Sequence, residues 1–378
     1  MILMNIVYFL TYDYSFKIWD ETGNISREIE YFDASVKKNK NYNFIFISYG
    51  SSEEEEYEQY FSNSKIIPIY KHIKYDNNKV LRFFRSFKIP FILNKLLKKE
   101  QIDLVKQNQL QGSWVSIIFK LINKKPMILR TGYDVFSFKI KEKKGKHILF
   151  FYYALTQISL FFTDLYTVTT KADQNYLNRY FYFPRKKIKI RPNFVNVTNN
   201  KPFKERLNNE ILLVGRLEDQ KNYEFAINEF SNSEFLLCNF GEGSKLKYLT
   251  HQASKKNTDI RFNNIISNNE LENIYSEYKF FISCSHYEGN PKSVLEAMGA
   301  GCIVFVAKNS NTKEIIKDNE NGFLFDLKEG ELINLFKSTL LRGDLDLISE
   351  SASNYVKNQN SLENLLQNEF DDINNLIN

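Results

Sequence analysis

Apolar residues in this chain come in short unbroken runs, separated by longer amphipathic stretches. In the first half the runs are NIVYFLTY, NFIFISYG, KIIPIY, IDLVKQ, PMILRTG and LYTVTT; in the second they are EILLVGR, EFLLCNFG, DIRFNN, KFFISCS and CIVFVA. Consecutive apolar positions suit strands buried on both faces, and the stretches between them leave room for covering helices. Each half therefore predicts a doubly wound α/β domain built on a parallel sheet. Over residues 187–209, KIKIRPNFVNVTNNKPFKERLNN, Pro192, Pro202 and several Asn interrupt the pattern and mark a boundary. The division expected is residues 1–192, residues 193–360, and a last amphipathic helix over 361–378. SSEEEEYEQY, 51–60, reads as a solvated loop or a helix start. MILMNIVYFLTYDY has no basic segment and no small-residue cleavage site, and reads as a first buried strand.

A chain of 378 residues is long for one core, which agrees with two domains. Open parallel sheets bind ligands at the C-terminal ends of their strands, so a cleft where the two sheets face each other is the expected site. Cys238, Cys284 and Cys302 sit in apolar surroundings with no CxxC or Cys/His spacing, and read as buried thiols of a cytosolic protein. Charge divides the chain sharply. Residues 1–200 hold 32 Lys and Arg against 18 Asp and Glu, a net of +14; residues 201–378 hold 19 against 27, a net of −8.

The basic half could prompt a nucleic-acid reading, but no DNA or RNA module signature is present, and the motifs that carry chemistry lie in the acidic half. Membrane lipid is the better partner. KVLRFFRSFKIPFILNKLLKK, 79–99, has seven cations and no acid, and KKGKHILFFYYALTQISLFF, 143–162, puts a basic entry before an apolar run. That run is short of the ~20 residues a spanning helix needs and suits an interfacial or core helix. Basic amphipathic surfaces bind anionic headgroups, so peripheral association with an anionic membrane surface is expected.

The chemistry concentrates in HYEGNPKSVLEAMGAGCIVFV, 286–306. KFFISCS is a strand, HYEGN a loop, and PKSVLEAMGAG a helix that Pro291 opens, since a first-turn residue needs no N–H partner. Backbone amides around Gly289, Asn290, Lys292 and Ser293 then form an anion site at a helix N-terminus, with phosphate the natural guest. Glu288 and Glu296, eight positions apart, can each accept two hydroxyl donors, as vicinal diols of a sugar supply. The plainer alternative makes Glu288 a helix cap and Glu296 a solvated helix residue. In EILLVGRLEDQKNYEF a strand ends at Gly215, and Arg216 and Lys221 follow; two cations past a strand end can clamp a diphosphate. CNFGEGSKLKYL adds a Gly241-Glu-Gly243 turn, weak by itself. His286 reads as a loop residue, and Asp344-Leu-Asp346, late in a predicted helix, as a coincidental Asp-x-Asp.

Taken together, VGRLEDQKN, FGEGSKL and SHYEGNPKSVLEAMGAGCIVFVA…EIIKDNENGFLFD resemble the retaining glycosyltransferases of family 4, which have the GT-B fold. The resemblance covers most of residues 190–330 and implies two Rossmann-like domains facing across a cleft, with the final helix crossing back to the first. It implies that Glu288 contacts the donor sugar, Glu296 the nucleotide ribose, and Arg216 and Lys221 the donor diphosphate. Gly215, Gly289, Asn290, Lys292 and Ser293 are expected around the phosphate and sugar, and the base near Asn264. Family members commonly carry a glycine-rich loop after the first strand; here WDETGNISRE offers only Gly23. Where a histidine often stands at the reaction centre, this chain has Arg130-Thr131-Gly132. Arg130 can stabilise a leaving diphosphate or hold an acidic acceptor, but is a poor general base.

The implied activity is metal-independent transfer of a hexose-type sugar from a nucleotide-diphosphate donor, with no cofactor, to a glycan or lipid-linked acceptor. The implied setting is surface polysaccharide assembly, such as lipopolysaccharide, at the cytoplasmic membrane face. The missing histidine leaves open a sugar-nucleotide-binding protein without catalysis; a GT-B sugar-nucleotide epimerase or hydrolase shares the architecture, but EGNPKSVLEAMGAG favours the transferase.

Overall fold

The structure, a computed structural model, describes residues 3–182, 188–196 and 201–377. The apolar runs become strands: β1 Met4–Phe9, β2 Tyr42–Ser48, β3 Ser64–Pro68, β4 Leu104–Asn108, β5 Met127–Arg130, β6 Leu165–Val168 and β7 Ile188–Ile190. The second half adds β8 Leu207–Val214, β9 Leu236–Phe240, β10 Ile260–Asn263, β11 Tyr278–Ser283, β12 Ile303–Ala307 and β13 Phe323–Phe325. All pair in parallel, in two sheets ordered β3-β2-β1-β4-β5-β6-β7 and β10-β9-β8-β11-β12-β13. Two compact units result. One holds Met1–Thr169, Asp173–Arg191 and Leu366–Asn378; the other holds Thr170–Ala172 and Pro192–Leu365.

In the second unit the alternation of strand side chains sorts the core into two layers. Ile211, Leu213, Phe280 and Ile282 point to one face, while Leu212, Phe281, Val304 and Val306 point to the other, and all are buried. The first unit has one apolar face of this kind, built on Val7, Phe9, Val105 and Leu129. Its opposite face buries Ile6, Tyr8, Phe44, Phe46 and Leu104 and adds charged groups among them. Lys106, buried on the central strand β4, donates to Tyr31 Oη at 2.6 Å and to Glu369 Oε2 at 2.9 Å. Lys189 and Arg191 converge on buried Asp372 at 2.6 and 2.8 Å. Glu369 and Asp372 both belong to the Leu362–Ile377 helix, whose Leu366, Phe370 and Ile373 lie with Ile6 and Phe44, so its contact with this unit is ionic and apolar together.

Three expectations are corrected. KIKIRP, read as part of the boundary, forms edge strand β7, and the loop begins after it; of the stretch 187–209, residues 187 and 197–200 lie outside the described residues. Strand β13, within NGFLFD, was not foreseen. The acidic stretch at 51–60 is not simply solvated. Glu54 is buried, accepting from the amides of Phe16 and Lys17 at 2.7 and 3.2 Å and from Ser48 Oγ at 2.6 Å, where a carboxylate meets the N-terminus of the Phe16–Glu21 helix.

Candidate active site

In the second sheet, strand order reverses direction between β8 and β11, and ligands of open parallel sheets bind beyond such a reversal. The loops leaving those two strands carry the two motifs, and three hydrogen bonds join them. His286 N donates to Gln220 O at 3.0 Å, Gln220 Nε2 to Tyr287 O at 3.0 Å, and Lys221 Nζ to Glu288 Oε1 at 2.6 Å. The side chains of that ion pair are 19% and 10% exposed, so screening by water is limited.

The glycines decide how closely the β8 loop can be held. Gly241 has a φ of +144°, and a Cβ there would stand 2.2 Å from Gly215 O; one on Gly243 would stand 2.4 Å from Leu217 O. The β9 loop thus lies directly against the β8 loop, with Gly215 N donating to Phe240 O at 3.1 Å and Leu217 N to Glu242 O at 2.9 Å. Ser244 adds bonds from its amide and hydroxyl to Glu218, which hold the Glu218 carboxyl below its usual range. The Gly-x-Gly turn therefore serves as a seat for the cationic loop.

The HYEGNP turn is held from beneath. Asn290 Oδ1 accepts from Asn193 N and its carbonyl from Asn193 Nδ2, both at 2.9 Å, while Asn311 Nδ2 donates to Glu288 O at 2.7 Å. Gly289 and Asn290 are buried, and the Lys292–Gly299 helix starts from Pro291, which has no side chain able to cap the first-turn amides. Lys292 and Ser293 are half-buried; the Lys292 ammonium stands 5.6 Å from the Phe194 ring centre. Glu296 is half-buried rather than solvated, and accepts from Tyr275 Oη at 3.0 Å. Burial first, then the Glu296 charge, pushes the Tyr275 hydroxyl up. Arg216 is exposed, without an ion-pair partner among the described residues, and Asn264 is exposed just past β10. His286 is exposed, as a loop residue should be.

Two expected residues belong to the first unit. Arg130 ends β5, half-buried, and its carbonyl accepts from Gln109 N at 2.7 Å. Gly23 is not in the loop after the first strand: that loop runs from residue 10 to 15 without a glycine, and Gly23, at a φ of +70°, closes the Phe16–Glu21 helix. Asp344 opens the Leu345–Gln359 helix rather than lying late in one, and it accepts from Arg342 Nε and Nη2 at 2.8 and 2.7 Å.

Sequence reasoning missed a second strained place. The first sheet reverses between β1 and β4, and the residues beyond those strand ends include Asp13 and Gln109, both left-handed at φ of +62° and +67°. Asp13 accepts from Arg82 Nη2 at 2.7 Å and from Tyr70 Oη at 2.9 Å. A positive φ at a residue other than glycine leaves no mark in the residue pattern.

Residues 197–358 match the family model described as Glycosyl transferases group 1. Among curated proteins, the chain is 25% identical over 306 residues to an Escherichia coli UDP-Gal:alpha-D-GlcNAc-diphosphoundecaprenol alpha-1,3-galactosyltransferase, covering 74% of this chain and 76% of that one. It is 26% identical over 251 residues to the Staphylococcus aureus capsular polysaccharide biosynthesis glycosyltransferase CapH, 62% and 68% of the two chains. Among solved structures, Anabaena Alr3699/HepE in complex with UDP and glucose superposes with a TM-score of 0.75 at 14% identity, over 99% of this chain and 100% of that one. Sucrose-phosphate synthase from Thermosynechococcus elongatus superposes at 0.78, also 14% identical, over 99% of each. The fold is thus that of the GT-B proteins, two Rossmann-like α/β units, and the matched segment spans the loops after β8, β9 and β11.

Proposed function

We propose that this protein is a retaining glycosyltransferase that moves a hexose-type sugar from a nucleotide-diphosphate donor to a glycan or lipid-linked glycan. Its setting is bacterial surface polysaccharide assembly at the cytoplasmic face of the membrane. The observation that carries this reading is the Lys221–Glu288 pair, held where β8 and β11 diverge, within the segment that matches the glycosyltransferase model. UDP-sugars are the first donors to test, because the Escherichia coli relative uses UDP-Gal and HepE binds UDP and glucose.

Breaking the sugar–phosphate bond leaves negative charge on the diphosphate, and stabilising that charge is the main electrostatic task. Arg216 offers a paired guanidinium contact and Lys221 a point charge, and the amides opening the Lys292–Gly299 helix add a fixed dipole. Together they meet the task with side chains and backbone, and the reading assigns it to no metal ion. Without donor, Glu288 neutralises Lys221. A diphosphate competes for the ammonium and leaves the carboxylate to accept from the sugar hydroxyls, with Glu296 placed for the ribose. Arg130 is assigned to the acceptor side or to the departing diphosphate.

A thermal-shift panel of UDP, GDP, ADP and their sugar conjugates tests this, because a ligand that binds the folded state raises the melting temperature by mass action. One nucleotide family should shift the wild type and fail to shift Arg216→Ala. In transfer assays Arg216→Ala should lose about 100-fold or more in kcat, the usual scale for removing a preorganised charge partner. Binding without turnover, with or without acceptor, would mark a protein that holds donor but does not catalyse. Absence of any shift in folded protein would overturn the donor site.

A further inference from the structure

The Lys79–Ser86 helix is inside out. It buries Arg82 and Ser86 and exposes Val80, Leu81, Phe84 and Phe87, with Phe84 63% exposed. The Lys146–Phe162 helix is apolar on both sides: it buries Leu155 and Leu160 together with Thr156 and Ser159, yet exposes Phe150 at 73% and Phe161 at 59%. A surface helix of a water-facing protein turns its polar stripe outward, so both helices present faces suited to a less polar medium. The two faces are joined, since Phe83 meets Phe151 at 5.8 Å between ring centres. Phe91, 61% exposed, extends the surface along the next helix, Ile89–Leu96.

The inversion is built in rather than accidental. Arg82 is held inward by Asp13 at 2.7 Å and Ser86 Oγ accepts from Trp114 Nε1 at 2.8 Å, while Arg85, half-exposed, pairs with Asp76 at 2.8 Å. These bonds set the roll of the Lys79–Ser86 helix and keep its aromatic rings outside. Two of the seven cations in this run are consequently spoken for by acids elsewhere in the chain. The remaining five, Lys79, Lys88, Lys95, Lys98 and Lys99, are exposed and make no ion pair among the described residues.

Given the proposed lipid-linked acceptor, we infer that this surface docks the protein on an anionic bilayer, with Phe84, Phe91, Phe150 and Phe161 entering the interface and the lysines meeting headgroup phosphates. Exposed aromatic rings beside unpaired lysines match the boundary between acyl chains and anionic headgroups. A second copy fits less well, because a two-fold contact through this surface brings the same lysines face to face. No helix among the described residues is long and apolar enough to cross a membrane, so the surface lies on the bilayer.

Sedimentation of the full chain with vesicles tests the inference, using phosphatidylcholine alone and an equal mixture with phosphatidylglycerol. The wild type should sediment with the mixture at low salt and release as salt rises. Phe84→Ser with Phe150→Ser should bind at least about tenfold more weakly, since each ring gives up apolar burial. Lys88→Gln with Lys95→Gln should weaken binding about fivefold per lysine and flatten the salt dependence. Both pairs are exposed, so melting temperatures should match the wild type and certify the fold. No sedimentation of the wild type, or undiminished binding by the serine pair, overturns the docking surface. So does a wild-type dimer in solution that the serine pair converts to monomer, which would assign the face to a second copy. Donor-induced thermal shifts should persist in both variants, so failure of docking and failure of the transferase reading are told apart.

Discussion

Asp134 shows how a single carboxylate can couple stability to pH. It caps the Val135–Lys141 helix, accepting from Ser137 N at 2.6 Å, while its other oxygen is buried without a hydrogen-bond partner among the described residues. Burial first, and the Asp173 charge in addition, pushes its pKa up to about 6. An acid raised on folding binds more protons in the native state, so stability is lost as pH rises from the unfolded value towards 6 and stays lost above it. Asp134→Asn keeps the cap and removes the buried charge. It should be more stable than wild type by up to about 3 kcal/mol at pH 8, with the gap closing towards pH 4. Urea unfolding midpoints across that range check this, and a gap that ignores pH would count against it. Cys284 and Cys302 are pushed up by burial, Cys302 to about 12. Both should resist thiol reagents until the protein unfolds, a difference that reagent titration with and without denaturant measures. The candidate site residues were legible because their chemistry is local: cations past a strand end, carboxylates around a proline-led helix. Their pairing was not, because Lys221 and Glu288 are separated by 67 positions.

Among the elements, the loop pair after β8 and β9 is the most exacting. Gly241→Ala drives a Cβ into Gly215 O at 2.2 Å and keeps a φ of +144° that suits glycine. The expected cost is about 2–4 kcal/mol, and the displaced β8 loop should carry Arg216 and Lys221 away from the donor. Calorimetry together with the nucleotide shift would check both effects, and an unchanged nucleotide response would deny the loop its seating role. Most strands were readable because burial on both faces demands unbroken apolar runs. The three-residue strands β7 and β13 were not, because so short a run carries little signal, and the Pro192 just after β7 resembles a linker. The basic run at 79–99 was legible as amphipathic, but Asp13 and Asp76, which take two of its cations, lie outside it.

At the scale of the molecule, the Leu362–Ile377 helix is bound to the first unit by charge as well as by the buried Leu366 and Ile373. Glu369→Gln would leave the Lys106 ammonium buried without its counter-charge, at a cost of about 3–5 kcal/mol. Replacing both, Lys106→Met with Glu369→Leu, should recover most of that loss, because the pair had also to be desolvated. Thermal unfolding of the two variants decides the matter: a double variant as unstable as the single one would mean that packing, not charge, holds the helix. The charge split between residues 1–200 and 201–378 could be counted directly, but which cations remain available could not. The amino-acid order by itself determined the two α/β halves, the loops bearing Arg216, Lys221, Glu288 and Glu296, and the thiol character of the cysteines, because strand burial, proline and glycine act over a few residues. Tertiary structure alone decided that Lys221 meets Glu288, that Asp13 turns Arg82 inward and leaves aromatic rings outside, and that Lys106 is answered by Glu369. Each of those depends on side chains brought together from distant positions, and only the folded sheets set such distances.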